Sequence, residues 1–531
     1  MKKTIAIFAI AVSLFSCSDV KKSDFVYQPN YPENELYILT PKAKEAPKVN
    51  GPSVFGVRPG SPFLYTIPAS GNRPMEFSVT NLPEGLSVDS KTGMISGTIL
   101  DKTKKEYIVS FNAKNKKGEA SKTFTIKVGD EICLTPPLGW NSWNCWENYV
   151  DQDKVLRSAR AMVNKGLINY GYSYVNVDCA WQGKRGENMA IQPNLQRFPN
   201  IKAMYDEIHQ LGLKAGIYSS PWVTSYGGFI GGGSDTEDGY WDSTMQDPKR
   251  TPVKIAKYKH VGKYCFEKQD VQQWIEWGVD YLKYDWAPND SLSTVNMANA
   301  LADSSRDIVY SISNTTPISL AKVCEQYVHV WRTGGDLKDR WIGKGRGWSF
   351  SKVWDEQKKW QEQGSYGKVG RYLDPDMLVV GNVSTGTDGV SIQPSLLTAD
   401  EQYTHISLWA LWSSPMLIGS SIENMDAFTL NLLTNTEVLD INQDPQCVSG
   451  KTIYSKDGIE IVVKDLDNGE KAIGLFNKNE TEQVVKLDWA LANLEGIKVV
   501  RDVWRNQDIG KFENSFSTSV RPHGTVLITI K

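Results

Sequence analysis

The strongest constraint on this chain is an alternation between residues 138 and 420, where eight short apolar segments each give way to a stretch with helical spacing. The candidate strands are Leu138 to Trp143, Tyr172 to Asp178, Lys214 to Ser219, Val279 to Asp285, Asp307 to Ser313, Val328 to Thr333, Met377 to Gly381 and Met416 to Ser420. Parallel strands buried on both faces read as such apolar runs, and eight is the number that closes a (β/α)8 barrel. Between them, Val155, Ala159, Met162 and Val163 share one helical face, as do Ile201, Met204, Tyr205, Ile208 and Leu211. A barrel over 129–435 is expected.

The flanking patterns differ. Lys2 and Lys3 precede an apolar run, Ile5 to Phe15, too short to span a bilayer and ending in "LFSC". A leucine before a small residue and cysteine has the form of a bacterial lipobox, so 1–17 is expected to be a lipoprotein signal with Cys17 as the lipidated residue. The polar, Pro/Lys-rich stretch 18–47 reads as a tether. From 48 to 128, alternating runs such as "FLYTI", "EYIVSFNA" and "SKTFTIKV" are separated by turns about every ten residues, the pattern of a small β-sandwich. Within it, "LPEGLSVDSKTGMISGT" resembles immunoglobulin-like modules of bacterial surface proteins. Beyond 435 the helical signal stops, and "GIEIVVKDL", "KAIGLFN" and "GTVLITIK" predict an antiparallel β domain over 436–531.

Among the 531 residues, 59 basic and 61 acidic side chains are interspersed, which gives no footprint for nucleic acid. The 18 Trp and 23 Tyr suit the flat apolar faces of sugars, although core packing uses most of them. Six cysteines follow Cys17, without CxxC pairs, so no metal cage is supported and disulfide pairing stays open. There are five His without HExxH spacing, and no P-loop, dinucleotide glycine pattern or GxSxG elbow. No metal and no organic cofactor is expected.

Carboxylates supply the chemistry that remains. In a parallel barrel the functional side chains sit at the C-terminal ends of the strands. Asp178 ends the second candidate strand, Asp285 the fourth, Asp336 follows the sixth, and Asp374 and Asp376 precede the seventh. A lone strand-end aspartate usually caps the next helix. Several on one rim fit glycosidic cleavage, which needs one carboxylate at the anomeric carbon and another at the leaving oxygen.

Six ordered blocks sharpen this reading: "LTPPLGWNSWNCW", "YSYVNVDCAWQG", "GLKAGIYSSPW", "GVDYLKYDW", "VWRTGGD" and "DPDMLVVGN". Together they resemble the motifs of glycoside hydrolase family 27, the α-galactosidase and α-N-acetylgalactosaminidase family, over about residues 134 to 531. The resemblance implies a retaining, exo-acting enzyme with Asp285 as nucleophile and Asp336 as acid/base. Lys283, on the same strand face as Asp285, would aid it by positive charge. By the same matching Trp143 would stack on the sugar, Tyr218 would border the subsite, Arg332 would approach the 2-position, Asp178 would bind distal hydroxyls, and Asp376 would hold the hydrogen-bond network. Asp285 is expected to stay ionised and Asp336 to hold its proton.

The chain departs from the family pattern near the sugar. The second of the paired aspartates is Cys179, the following cysteine is Ala180, and Ser313 stands where family α-galactosidases often place a glutamate. Trp222 and Asp235, on the loop after the third strand, are the candidates to supply the lost contacts. An α-galactosidase acting on α-linked oligo- or polysaccharide is the expected function, exported and membrane-anchored only through its lipid. Within the same chemistry the alternatives are an α-N-acetylgalactosaminidase, a β-L-arabinopyranosidase or an α-glucan-cleaving relative. Outside it stands a surface glycan-binding protein without turnover.

Overall fold

The computed structural model describes residues 20–22, 24–242, 259–364, 366–384 and 391–531. Cys17 lies outside them. Eight parallel strands form one sheet in the order Tyr372–Asp374, Val330–Arg332, Val309–Ser313, Tyr281–Asp285, Lys214–Ser219, Tyr174–Asn176, Leu138–Asn141 and Met416–Ile418. A parallel bridge from Leu378 to Ile418 joins its two edges and closes the barrel. Counted along the chain, these are the first (138–141) to eighth (416–418) barrel strands.

Local sequence explains the supporting helices. Asp151 caps Gln152–Asn164 by accepting from the Lys154 amide at 2.9 Å, and Val155, Ala159 and Met162 are buried. Asn200 caps Ile201–Gln210, which buries Ile201, Met204, Tyr205 and Ile208. The helix Glu267–Trp277 ends at Gly278 in the left-handed region (φ +85°), where a Cβ would lie 2.8 Å from the His209 ring. The fourth strand starts three residues later.

Three expectations about boundaries are corrected. The first strand ends at Asn141, so Trp143 instead opens a short helix, Trp143–Trp146. The seventh strand is Tyr372–Asp374 rather than Met377–Gly381, because Arg332 pairs in register with Asp374 and the chain then turns at Asp376 (φ +108°). Helix does not stop at Asn435. That residue caps a further helix, Thr436–Asn442, and the β domain's first strand is Lys451–Lys456.

The expected tether is corrected as well. Val20–Lys21 and Val26–Tyr27 add parallel strands to the two sheets of the C-terminal domain, beside Lys511–Phe512 and Ser517–Thr518. Tyr37, 2% exposed, stacks on Tyr403 and donates to Asp400 at 2.6 Å. Thr40 donates to the Trp504 carbonyl. Low hydrophobicity suggested a free segment, but three tyrosines, at 27, 31 and 37, give this strap enough apolar area to dock.

The remaining strands of the C-terminal domain pair antiparallel with one another in sheets of seven and three strands, counting the strap. The N-terminal module packs sheets of four and three strands around Phe77, Ile95, Phe111 and Phe124. It docks on the barrel's base: Arg58 pairs with Asp307 at 2.7 Å just before the fifth strand, and Thr66 donates to the Gly212 carbonyl just before the third. These contacts lie at the N-terminal ends of the strands, away from the mouth.

Candidate active site

Register brings the predicted residues together. Tyr218 pairs opposite Lys283, Asp285 opposite Ser313, and Arg332 opposite Asp374, all toward the C-terminal ends of adjacent strands. The Asp285 side chain is anchored on both oxygens: the Tyr218 hydroxyl donates to Oδ2 at 3.1 Å and the Asn314 amide donates to Oδ1. The Lys283 ammonium lies 2.7 Å from Asp178 Oδ2 and adds its charge to the field at Asp285. Asp178 is further held by the Cys179 amide, which donates to Oδ1 at 2.8 Å.

The second carboxylate sits on the loop after the sixth strand. Arg332 reaches Asp336 at 3.5 Å and Asp376 at 2.9 Å. Asp376 also accepts from the Leu337 amide at 2.7 Å, fixing the residue next to Asp336. Gly334 and Gly335 lie flat against Trp348, where a Cβ would come within 2.8 and 2.6 Å of the indole. The Trp348 amide donates to the Asp336 carbonyl at 2.6 Å. The loop is thus clamped on both sides while its carboxylate stays accessible: Asp336 is 53% exposed, whereas Asp285 is 7% exposed.

This asymmetry reverses the expected order of the two carboxyls in the free site, Asp336 being the more acidic, while Asp285 is still ionised at neutral pH. Burial pushes the Asp285 carboxyl up to about 6, helped by the charges of Asp178 and Asp336 and opposed by Lys283 and Asn314. At Asp336, more than half exposed, partial loss of solvent in the mouth also raises the carboxyl, but Arg332, Lys283 and Lys338 outweigh it and hold the group below the usual range. Asp376, buried beside Asp336 and Asp374, is pushed up to about 6. Lys283 is directly bonded to Asp178, so it only partly offsets the desolvation of Asp285.

Trp143 remains half-buried at the mouth, and Ser313 ends the fifth strand beside Asp285. Cys179 is fully buried, with its sulfur 3.1 Å from Ser225 Oγ beneath the turn after the third strand. Of the two residues expected to supply its contacts, Trp222 is buried in this loop, while the Asp235 carboxylate is instead spent on a pair with His260 at 3.0 Å on the exposed surface. Sequence reasoning missed Asn314 and Trp348. Asn314 takes φ +67°, a conformation asparagine tolerates, which was the available signal. No disulfide joins the six described cysteines, and no group of three or more metal-ligating side chains occurs among the described residues. No helix among them is long and apolar enough to cross a membrane.

A closed parallel barrel with one buried and one accessible carboxylate at its mouth is an arrangement that suits a glycoside hydrolase. Residues 135–243 and 253–444 match the family model described as "Alpha galactosidase A", and 456–530 match the "Alpha galactosidase C-terminal beta sandwich domain". Residues 46–129 match the "Putative Ig domain" model. An alpha-galactosidase of rice, Oryza sativa, is 32% identical over 397 residues, covering 73% of this chain and 83% of the relative. That of coffee, Coffea arabica, is 32% identical over 411 residues, covering 76% and 95%. A Bacteroides fragilis crystal structure named "putative alpha-galactosidase" superposes with a TM-score of 0.78 at 30% identity, over 92% of this chain and 98% of the other. The chain belongs to glycoside hydrolase family 27, the α-galactosidase family, and carries an N-terminal Ig-like module.

Proposed function

We propose that this enzyme is a retaining, exo-acting α-galactosidase that removes terminal α-linked galactose from oligo- or polysaccharides, and that it is exported and held to a membrane by lipid on Cys17. The observation that carries the chemistry is the pairing of Asp285, buried and oriented by Tyr218 and Asn314, with the accessible Asp336. Asp285, ionised above about pH 6, attacks the anomeric carbon. Asp336 is half in water in the free enzyme. Arrival of the sugar and its aglycone strips that water away, raises the carboxyl, and lets it carry the proton given to the leaving oxygen. After the leaving group departs, the same carboxylate activates water to release the sugar with its configuration retained.

Ser313, small where a glutamate is common in the family, and Cys179 widen the range of sugars to be tested. A panel of aryl glycosides covers them: α-galactoside, N-acetyl-α-galactosaminide, β-L-arabinopyranoside and α-glucoside. The highest kcat/KM is expected with α-galactoside, and proton NMR should show α-galactose as the first product. Release of β-galactose would refute the retaining step, and saturable sugar binding without any aryl release would identify a glycan-binding protein. Asp336→Ala should lose more activity on poor leaving groups than on activated ones, with partial rescue by azide. For the anchor, detergent should be needed to extract the full-length protein, and Cys17→Ala should free it. Wild-type protein recovered soluble outside the cells would refute the lipid.

A further inference from the structure

The loop that follows the third barrel strand does not wander. Thr224 and Ile230 form an antiparallel bridge, the Ser225 amide donates to the Phe229 carbonyl at 2.8 Å, and the Gly228 amide donates back to the Ser225 carbonyl at 3.0 Å. Tyr226 lies in the tight turn of this hairpin. One of its chain neighbours, Ser225, touches the Cys179 sulfur, and a Cβ on the other, Gly227, would lie 2.8 Å from that same atom. The hairpin is rooted a few residues after Tyr218, whose hydroxyl touches Asp285. Trp222 backs the Tyr226 ring at 4.8 Å between centroids, and the Lys259 ammonium stands 4.7 Å from the ring centre.

Tyr226 is half-buried, and its hydroxyl donates to no protein acceptor among the described residues. Tyr218, by comparison, is fully committed to Asp285. An amphipathic ring packed by its neighbours, near enough to Asp285 and Asp336 to feel their charges and with its hydroxyl unspent, has the features of a ligand contact.

We propose that Tyr226 is a further substrate-binding and specificity-determining residue: its ring walls the sugar pocket above Cys179, and its phenol donates to a substrate oxygen beside the catalytic carboxylates. This rests on the assignment of Asp285 and Asp336 made above. Burial, and after it the charges of Asp285 and Asp336, push the phenol's ionisation well up, so it acts only as a neutral donor. The wall compensates in shape for the acceptor lost at Cys179. A thiol bonds hydroxyls weakly. An aromatic ring discriminates by contact with the hydroxymethyl group instead.

The test compares kcat/KM for aryl α-galactoside and aryl β-L-arabinopyranoside, which lacks that hydroxymethyl group, in wild type, Tyr226→Phe and Tyr226→Ala, with melting temperatures alongside. Tyr226→Phe should lower kcat/KM on the galactoside about tenfold, the effect of one lost hydrogen bond. Tyr226→Ala should in addition shrink the galactoside-to-arabinopyranoside ratio about tenfold while the melting temperature holds. The assignment is overturned if both variants keep both values within about twofold, or if both substrates suffer equally as the melting temperature falls. A wild type that releases aryl from no α-galactoside would refute the functional reading itself, and this assignment with it. Turnover untouched by either variant refutes Tyr226 alone.

Discussion

Replacing Asp285 by Asn should abolish turnover and make the protein more stable, because the buried nucleophile is held ionised at a cost. Its carboxyl rises from 3.8 to about 6 on folding, with burial the largest cause. Since 1.36 kcal/mol accompanies each pH unit, keeping it charged at neutral pH costs about 3 kcal/mol. The sign follows from the raised value. Between about pH 4 and pH 6 the folded state binds the extra proton, so the cost is absent below about pH 4, grows through that window, and is full above it. Asparagine removes the charge but offers one acceptor where Tyr218 and Asn314 each had an oxygen, which takes back about 1 kcal/mol. The net gain is then about 2 kcal/mol. With an unfolding entropy of about 2 cal/mol/K per residue over this length, the melting temperature should rise by about 2 °C at pH 7.5. Scanning calorimetry of both proteins at pH 7.5 and at pH 4 is the assay. A lower melting temperature for the variant at pH 7.5, or an equal gain at pH 4, would refute the reasoning.

The same carboxyl sets the acid limb of activity: kcat/KM should fall below about pH 6, and Asn314→Ala, which removes a bond to the ionised form, should move that limb upward. A limb that stays in place in the variant would show that Asn314 does not tune the nucleophile. Elsewhere, Lys464, on the strand Ile459–Asp465, is buried and bonds Ser413 Oγ and the Ile441 carbonyl with no ion-paired carboxylate among the described residues, so burial lowers it to about 8. Its penalty is full below about pH 8 and disappears above the unfolded value near 10.5, so Lys464→Met should stabilise the protein at pH 7 by about 1–2 kcal/mol and have no such effect at pH 11. Destabilisation in urea melts at pH 7 would count against it.

What the sequence made legible follows from how each signal arises. The barrel was readable because strands buried on both faces must be apolar, and the nucleophile because a strand that ends on an acid at the barrel mouth breaks that pattern. The seventh strand was misread since "MLVVG" is more apolar than "YLD", yet its burial comes from packing after the turn at Asp376 rather than from the ladder. Asn314 was invisible because its role depends on a left-handed turn that aims its amide back at Asp285. The protonation order was misjudged for a similar reason: the partner bonded to Lys283, Asp178, is 105 residues away along the chain. Asp235 looked like a reach across the sugar until His260 claimed it.

The docked N-terminal strap changes the geometry of attachment. A free 18–47 segment would let the enzyme range about 100 Å from a lipid on Cys17. With Val20 already laid beside Lys511, only three residue steps, at most about 10 Å, would separate a lipid on Cys17 from the folded body. If Cys17 carries the proposed lipid, an enzyme so tied would swing little and work within about its own diameter of the bilayer. Glycans would have to be delivered to it, and long polymers would be trimmed only where they touch down.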